Sequence, residues 1–110
     1  SEESEESKDY PILKITKDTI YIDSIDLNKN HTFIIPLENI GNTELQILKI
    51  EKDCDCIEYQ LKNKSIQSGK NESMYLLLKG NQVGDLKKIT LSVFSNELNK
   101  KQKITILIIN

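Results

Sequence analysis

From residue 10 onward, apolar and polar side chains alternate with a period of two, the spacing of strands that bury one face and expose the other. Helical spacing is hard to find. The first extended pieces are Pro11 to Thr16 and Thr19 to Ile25, separated by Lys17-Asp18; in the second, Ile20 and Ile22 share one face and Tyr21 and Asp23 the other. After the turn Asp26-Leu27-Asn28-Lys29-Asn30, the residues Phe33, Ile35 and Leu37 form a core face, and Ile34, Pro36 and Glu38 point away from it. Pro36 has no N–H to give to a ladder, so its position predicts an unpaired edge or a bulge.

A tight polar turn follows at Asn39-Ile40-Gly41-Asn42. Leu45 and Ile47 then keep one parity, and Leu48 and Ile50 take the other, which is what a β-bulge or a sheet-switching bend does. If the chain stays extended on even numbers, Cys54 and Cys56 fall on one face. Between the loop Lys62-Asn63-Lys64 and the turn Gln67 to Asn71, Ser65-Ile66 has room only for a short strand. Met74, Leu76 and Leu78 give the next core face. Gly80 to Asp85 is the strongest turn signal, with two glycines available for positive φ. Beyond it come Ile89, Leu91 and Val93, a polar break from Asn96 to Lys101, and finally Ile104, Ile106 and Ile108. The pattern predicts an all-β chain, an antiparallel β-sandwich of seven to eight strands in two sheets, with no internal repeat.

Composition sharpens this picture. A chain of 110 residues can bury one core without metals or several disulfides. Tryptophan is absent and aromatics are few, so that core must be aliphatic. The net charge of −2 is unevenly placed, because Glu2, Glu3, Glu5 and Glu6 crowd into the first residues. This divides the chain into a flexible acidic leader, residues 1–9, and a domain, residues 10–110. Every basic residue is lysine, and no lysine cluster is interleaved with aromatics. The bidentate reader of phosphates and base edges is missing, so no nucleic-acid partner is expected. No apolar run approaches the roughly eighteen residues of a membrane span.

The succession His31-x-Phe33, Asn39-x-Gly41, Leu45-x-Ile47 and Cys54-x-Cys56 resembles a bacterial domain-of-unknown-function family with the signature F-x-f-x-N-x-G, p-L-x-I, C-G-C-T. Ile66 to Gly69 is similar to that family's I-x-P-G turn, Gly84 with Lys88-Ile89 to its G-x-x-x-K-x-I, and Ser95-Asn96 to its closing S/T-N. Tyr21 to Ile25 falls where the family has D-F-G-x-I. The resemblance covers residue 19 to the end. It implies an immunoglobulin-like fold related to hydin-type and major-sperm-protein-type sandwiches, in a Bacteroidetes envelope protein. Asp55, Ile57, Ser68 and Asp23 depart from the family's residues, and the first two fall inside C-G-C-T.

Cys54-Asp55-Cys56 is the first candidate for chemistry. A disulfide across one residue requires a local bend, since extended backbone holds the β-carbons further apart than the roughly 3.5–4.5 Å such a bond prefers. The pair is either a redox site or a pin where the two sheets diverge. Asp55 between the sulfurs repels a thiolate and works against reactivity. A zinc site needs four ligands, and Cys54, Cys56, His31 and Asp55 are the whole pool, so no metal is expected. His31, the single histidine, is the natural general base at neutral pH but reads as a strand-start side chain. There is no glycine-rich phosphate loop, no G-x-S-x-G elbow and no paired carboxylates, so neither a cofactor nor enzyme activity is expected. Asp18-Thr19-Ile20 and Asp23-Ser24-Ile25 resemble the D-S/T-aliphatic acceptor of Bacteroidetes O-glycosylation, which marks Thr19 and Ser24 as candidate modification sites; the alternative is ordinary strand and turn residues.

The acidic start behind Ser1 resembles the surface-export signal of a Bacteroidetes lipoprotein whose lipidated cysteine lies upstream. The expectation is therefore a non-catalytic exported module, periplasmic or on the outer-membrane surface, that displays edge strands and loops to an unidentified envelope protein. A thiol/disulfide redox accessory protein using Cys54 and Cys56 is the alternative.

Overall fold

A computed structural model describes residues 9–98 and 101–109. Its strands are β1 (Leu13–Lys14), β2 (Thr19–Asp23), β3 (Asn30–Asn39), β4 (Leu45–Lys52), β5 (Ile57–Leu61), β6 (Ser65–Ile66), β7 (Asn71–Lys79), β8 (Lys88–Ser95) and β9 (Lys101–Ile109). A single 3-10 turn, Gly80–Gln82, is the one helical piece among the described residues. The strands form a four-stranded sheet, β1-β3-β7-β5, and a five-stranded sheet, β2-β9-β8-β4-β6, face to face.

The two-sheet sandwich and its alternating core are those the sequence predicts. Ile35 and Leu37 on β3, Met74, Leu76 and Leu78 on β7, Ile89, Leu91 and Val93 on β8, and Ile104, Ile106 and Ile108 on β9 are all buried in one cluster. Phe33 packs against it from a half-buried position at the start of β3. The parity switch in β4 is a bulge: Ile47 pairs with Ser95 and Lys49 with Phe94, which leaves Leu48 as the extra residue. Pro36 stands opposite Ser73 on β7, while β1 ends opposite Glu38, so one flank of Pro36 has no ladder to interrupt.

Three features depart from expectation. The ladders are antiparallel with one exception, β2 and β9, which run parallel from Thr19 opposite Thr105 to Asp23 opposite Ile109. The first extended stretch changes sheet: β1 pairs with β3, the chain crosses at Ile15 to Asp18, and the Thr105 N–H donates to the Asp18 carbonyl at 2.8 Å as β2 joins the other sheet. Second, nine strands form where seven to eight are expected, because Ile57–Leu61 forms a strand of its own, β5, in the other sheet from β4; the short β1 and β6 fall within the extended pieces expected at Pro11 to Thr16 and Ser65-Ile66. Third, Gly80 does not have a positive φ. Its requirement is space, since a Cβ there would lie 2.7 Å from the Asp26 carbonyl oxygen, inside contact distance of the Asp26–Lys29 turn that packs on it.

Candidate functional site

The cysteine pair lies where the chain leaves one sheet for the other. β4 ends at Lys52 and β5 begins at Ile57, so Asp53 to Cys56 form the crossover, and the extended continuation of β4 through both cysteines does not occur. The chain turns instead at Asp55-Cys56, and Cys54 and Cys56 are joined by a disulfide with their Cα atoms 5.1 Å apart. The Cys56 N–H donates to Cys54 Sγ at 3.0 Å, and the Lys79 N–H to the Cys56 carbonyl at 2.7 Å. Cys56 is buried and Cys54 half-buried. Asp53 anchors the entry to this turn by accepting the Thr90 N–H at 2.9 Å on its Oδ1. The bridge therefore fastens a β4-to-β5 corner on which both sheets converge.

His31 sits in β3 near its start, with Nε2 2.9 Å from the Asp26 carbonyl oxygen. Its row across the sheet, His31–Leu78–Ile57, ends next to the cysteine turn, but its ring is engaged by the Asp26 loop. Among the described residues, no three of His, Cys, Asp and Glu converge in a group that could hold a metal ion. Thr19 and Ser24 bracket β2, each with its hydroxyl directed at the preceding aspartate, Asp18 at 3.3 Å and Asp23 at 3.5 Å. Ser24 is exposed and occupies the left-handed backbone region with φ of 64°.

Two buried polar groups escape a reading of the sequence. Asn39, fully buried, accepts the N–H groups of Ile12 and Gly41 on Oδ1 and donates through Nδ2 to the carbonyls of Thr43 and Ile66. Glu97 lies in the polar break between β8 and β9 yet is only 3% exposed. Its Oε1 accepts the Leu13 N–H at 2.9 Å and its Oε2 the Gln102 amide at 2.8 Å, while the same Gln102 nitrogen donates to the Leu13 carbonyl. Both residues are structural ties. They fix β1 and β6, the shortest strands, which have too few ladder bonds to hold themselves in place.

Those short strands form one edge of each sheet, the other edges being β5 and β2. β1 covers only Glu38 and Asn39 of β3, and β6 only Leu45 and Gln46 of β4. The remaining lengths of β3 and β4 present one flank on which no described strand is paired. On the outer face of the five-stranded sheet, the Lys49 and Lys101 ammonium groups lie 4.7 and 5.8 Å from the Phe94 ring centroid. Glu58 on β5 accepts Lys79 Nζ at 2.9 Å; that hydrogen bond, and then the lysine's charge, hold the Glu58 carboxyl below its ordinary range.

No helix among the described residues is long and apolar enough to cross a membrane. Solved structures of similar fold include a protein of unknown function from Porphyromonas gingivalis W83, with a TM-score of 0.80 at 10% identity over 91% of this chain. The chain spans about half of that protein, 47% of its length. The ASH/PapD-like domain 7 of human CEP192 is similar over 89% of this chain and 84% of its own, with a TM-score of 0.61 at 9% identity. A member of the major sperm protein family from C. elegans, WR4, is similar over 88% and 95%, with a TM-score of 0.57 at 9% identity. At these identities the likeness establishes the immunoglobulin-like, PapD- and major-sperm-protein-like fold. No curated protein matches the chain. A family model does match, over residues 13–108, and by that match the chain belongs to the protein-of-unknown-function family DUF1573.

Proposed function

We propose that this chain is a non-catalytic, exported module of the bacterial cell envelope that binds a protein partner through uncovered strand edges. The observation that carries this reading is the mismatch of strand lengths: two-residue strands flank the ten-residue β3 and the eight-residue β4. An edge of that kind offers backbone N–H and C=O groups in a row, to which an extended segment of another protein adds as a strand. The Cys54–Cys56 bridge supports export, since such bonds persist in oxidising compartments. The acidic leader supports a lipid anchor upstream, and a gene with no signal peptide ending in cysteine before Ser1 would remove that element.

A thiol/disulfide accessory role is the second reading, favoured by the bridge itself and by the half-buried position of Cys54. One experiment separates the two. The intact chain and its Cys54→Ser and Cys56→Ser variants are used to capture partners from envelope extract of the native host, alongside a free-thiol titration with and without reductant. Folded variants that capture the same partner support the binding module and discard the redox role; loss of capture in both folded variants favours the redox role instead. Thr19 and Ser24 are proposed as glycan acceptors, and an unmodified intact mass from the native host removes them.

A further inference from the structure

Along one side of the sandwich the core is not fully covered. Ile50 on β4 stands opposite Val93, and on β5 Tyr59 stands opposite Leu76 and Leu61 opposite Met74. Directly paired residues share a face, so all three side chains belong to the inner register. Their partners are at most 1% exposed, yet Ile50 and Leu61 are only half-buried and Tyr59 is 38% exposed. The gap between the β4 and β5 edges is bounded at one end by the Asp53–Cys56 crossover and at the other by Lys62 to Lys64, which lead into β6. It is about 17 Å long, the length of a five-residue strand.

The two edges of this gap differ. On β5 the Ile57 carbonyl already accepts Lys52 Nζ at 2.8 Å, and a cation in that position blocks strand addition. On β4 the ladder to β6 stops at Gln46, and the Ile47 N–H donates to the Lys64 carbonyl at 2.7 Å. No described strand continues along Leu48 to Lys52, and the bulged Leu48 is 59% exposed. The rim carries Lys52, Lys62 and Lys64, while Lys49 lies over Phe94 on the outer face. Of the charges beside it, Lys49 and Glu51 pair with each other at 3.1 Å and Glu58 pairs with Lys79, while Asp53, which accepts the Thr90 N–H, and Asp55 stand at the cysteine-turn end, so the three rim lysines outnumber the acidic groups left to them. The chemistry left available is an apolar slot under a positive rim.

We infer that Leu48–Lys52 of β4 receives, as an added strand, an extended protein segment with aliphatic side chains at alternate positions and acidic ones between them. The aliphatic side chains cover Ile50, Tyr59 and Leu61, and the carboxylates meet the lysine rim. This rests on the interaction-module reading and names the edge and the partner chemistry within it.

The test uses the full chain and a labelled ten-residue peptide of alternating valine and glutamate, with valine–lysine and serine–glutamate peptides as controls. The expected result is saturable binding that slows amide hydrogen exchange at Leu48 to Lys52 and is weakened about tenfold by Ile50→Ser. The exposed Lys62→Glu, which leaves the core untouched, weakens it as well, as does added salt. Equal binding of the serine–glutamate peptide would reduce the contact to charge and overturn the inference. Slowed exchange on β2 or β3 in place of β4 would overturn it too, while leaving the interaction module intact. The broader reading fails differently: a partner captured from the envelope would then protect no strand edge at all.

Discussion

The Gly41 N–H donates to Asn39 Oδ1 at 3.0 Å, so the two outer residues of the N-x-G turn are locked together at the point where β3 leaves its sheet. The same Asn39 side chain bonds Ile12, Thr43 and Ile66, and its backbone N–H and C=O meet Lys70 and Gly69. One buried amide thus joins the segment entering β1, the β3–β4 crossover, β6 and the turn after it. Asn39→Ala leaves several of these groups without partners. It should lower unfolding free energy by about 3 kcal/mol, read by chemical denaturation; a loss below about 1 kcal/mol would mean that the network relaxes onto water.

Gly41 is required by proximity. A Cβ there would lie 2.6 Å from the Ile12 nitrogen and 2.7 Å from Pro11 Cα, both backbone atoms that cannot swing aside. Gly41→Ala should therefore cost about 2 kcal/mol or more and release the segment before β1, visible as faster amide exchange at Ile12 and Leu13. Normal stability in this variant would contradict the close approach.

Ser24 has the opposite problem. Its φ of 64° is a conformation that side chains resist and glycine accepts. Ser24→Gly should raise stability by about 0.5 kcal/mol, the strain relieved less the entropy that glycine adds to the unfolded chain. Thermal unfolding reads the effect, and a fall in stability would show that the serine contributes through its hydroxyl.

Glu58 should titrate below other exposed glutamates, because Lys79 donates a hydrogen bond to its carboxylate and places a positive charge beside it. A carboxyl lowered in the folded state contributes stability above its unfolded value, and that contribution is lost as pH falls through the lowered one. Carboxyl NMR titration should show Glu58 returning to the ordinary range in Lys79→Met. Because the pair is on the surface, its effect on stability is small and weakens with salt.

The central strands are legible in the sequence because each carries its own instruction. The alternation in β7, β8 and β9 names the buried face with no knowledge of a partner, and the parity change across Ile47-Leu48 names the bulge. The parallel pairing of β2 with β9 is not legible, since nothing in Thr19 to Asp23 specifies which edge it joins across more than eighty residues. The corner at Cys54–Cys56 reads as extended because even-numbered parity carries through the cysteines, whereas in the structure the inner register resumes on odd numbers at Ile57. Burial of Glu97 is hidden for a related reason: its partners include the Leu13 backbone 84 residues away, and an isolated glutamate in a polar stretch reads as surface. As for candidate chemistry, the cysteine pair is visible from spacing alone, but the uncovered edges follow from which strands are short, a property of the pairing and not of any one segment.

The proposed module works through strand edges that its own chain leaves uncovered. Amide hydrogen exchange of the full chain, with and without the partner captured from envelope extract, tests this most directly. The predicted result is slowed exchange along an uncovered flank, Leu48 to Lys52 of β4 or Asn30 to Leu37 of β3, with the Cys54–Cys56 turn unchanged. Slowed exchange confined to the cysteine turn, with both flanks exchanging as in the free protein, would contradict it.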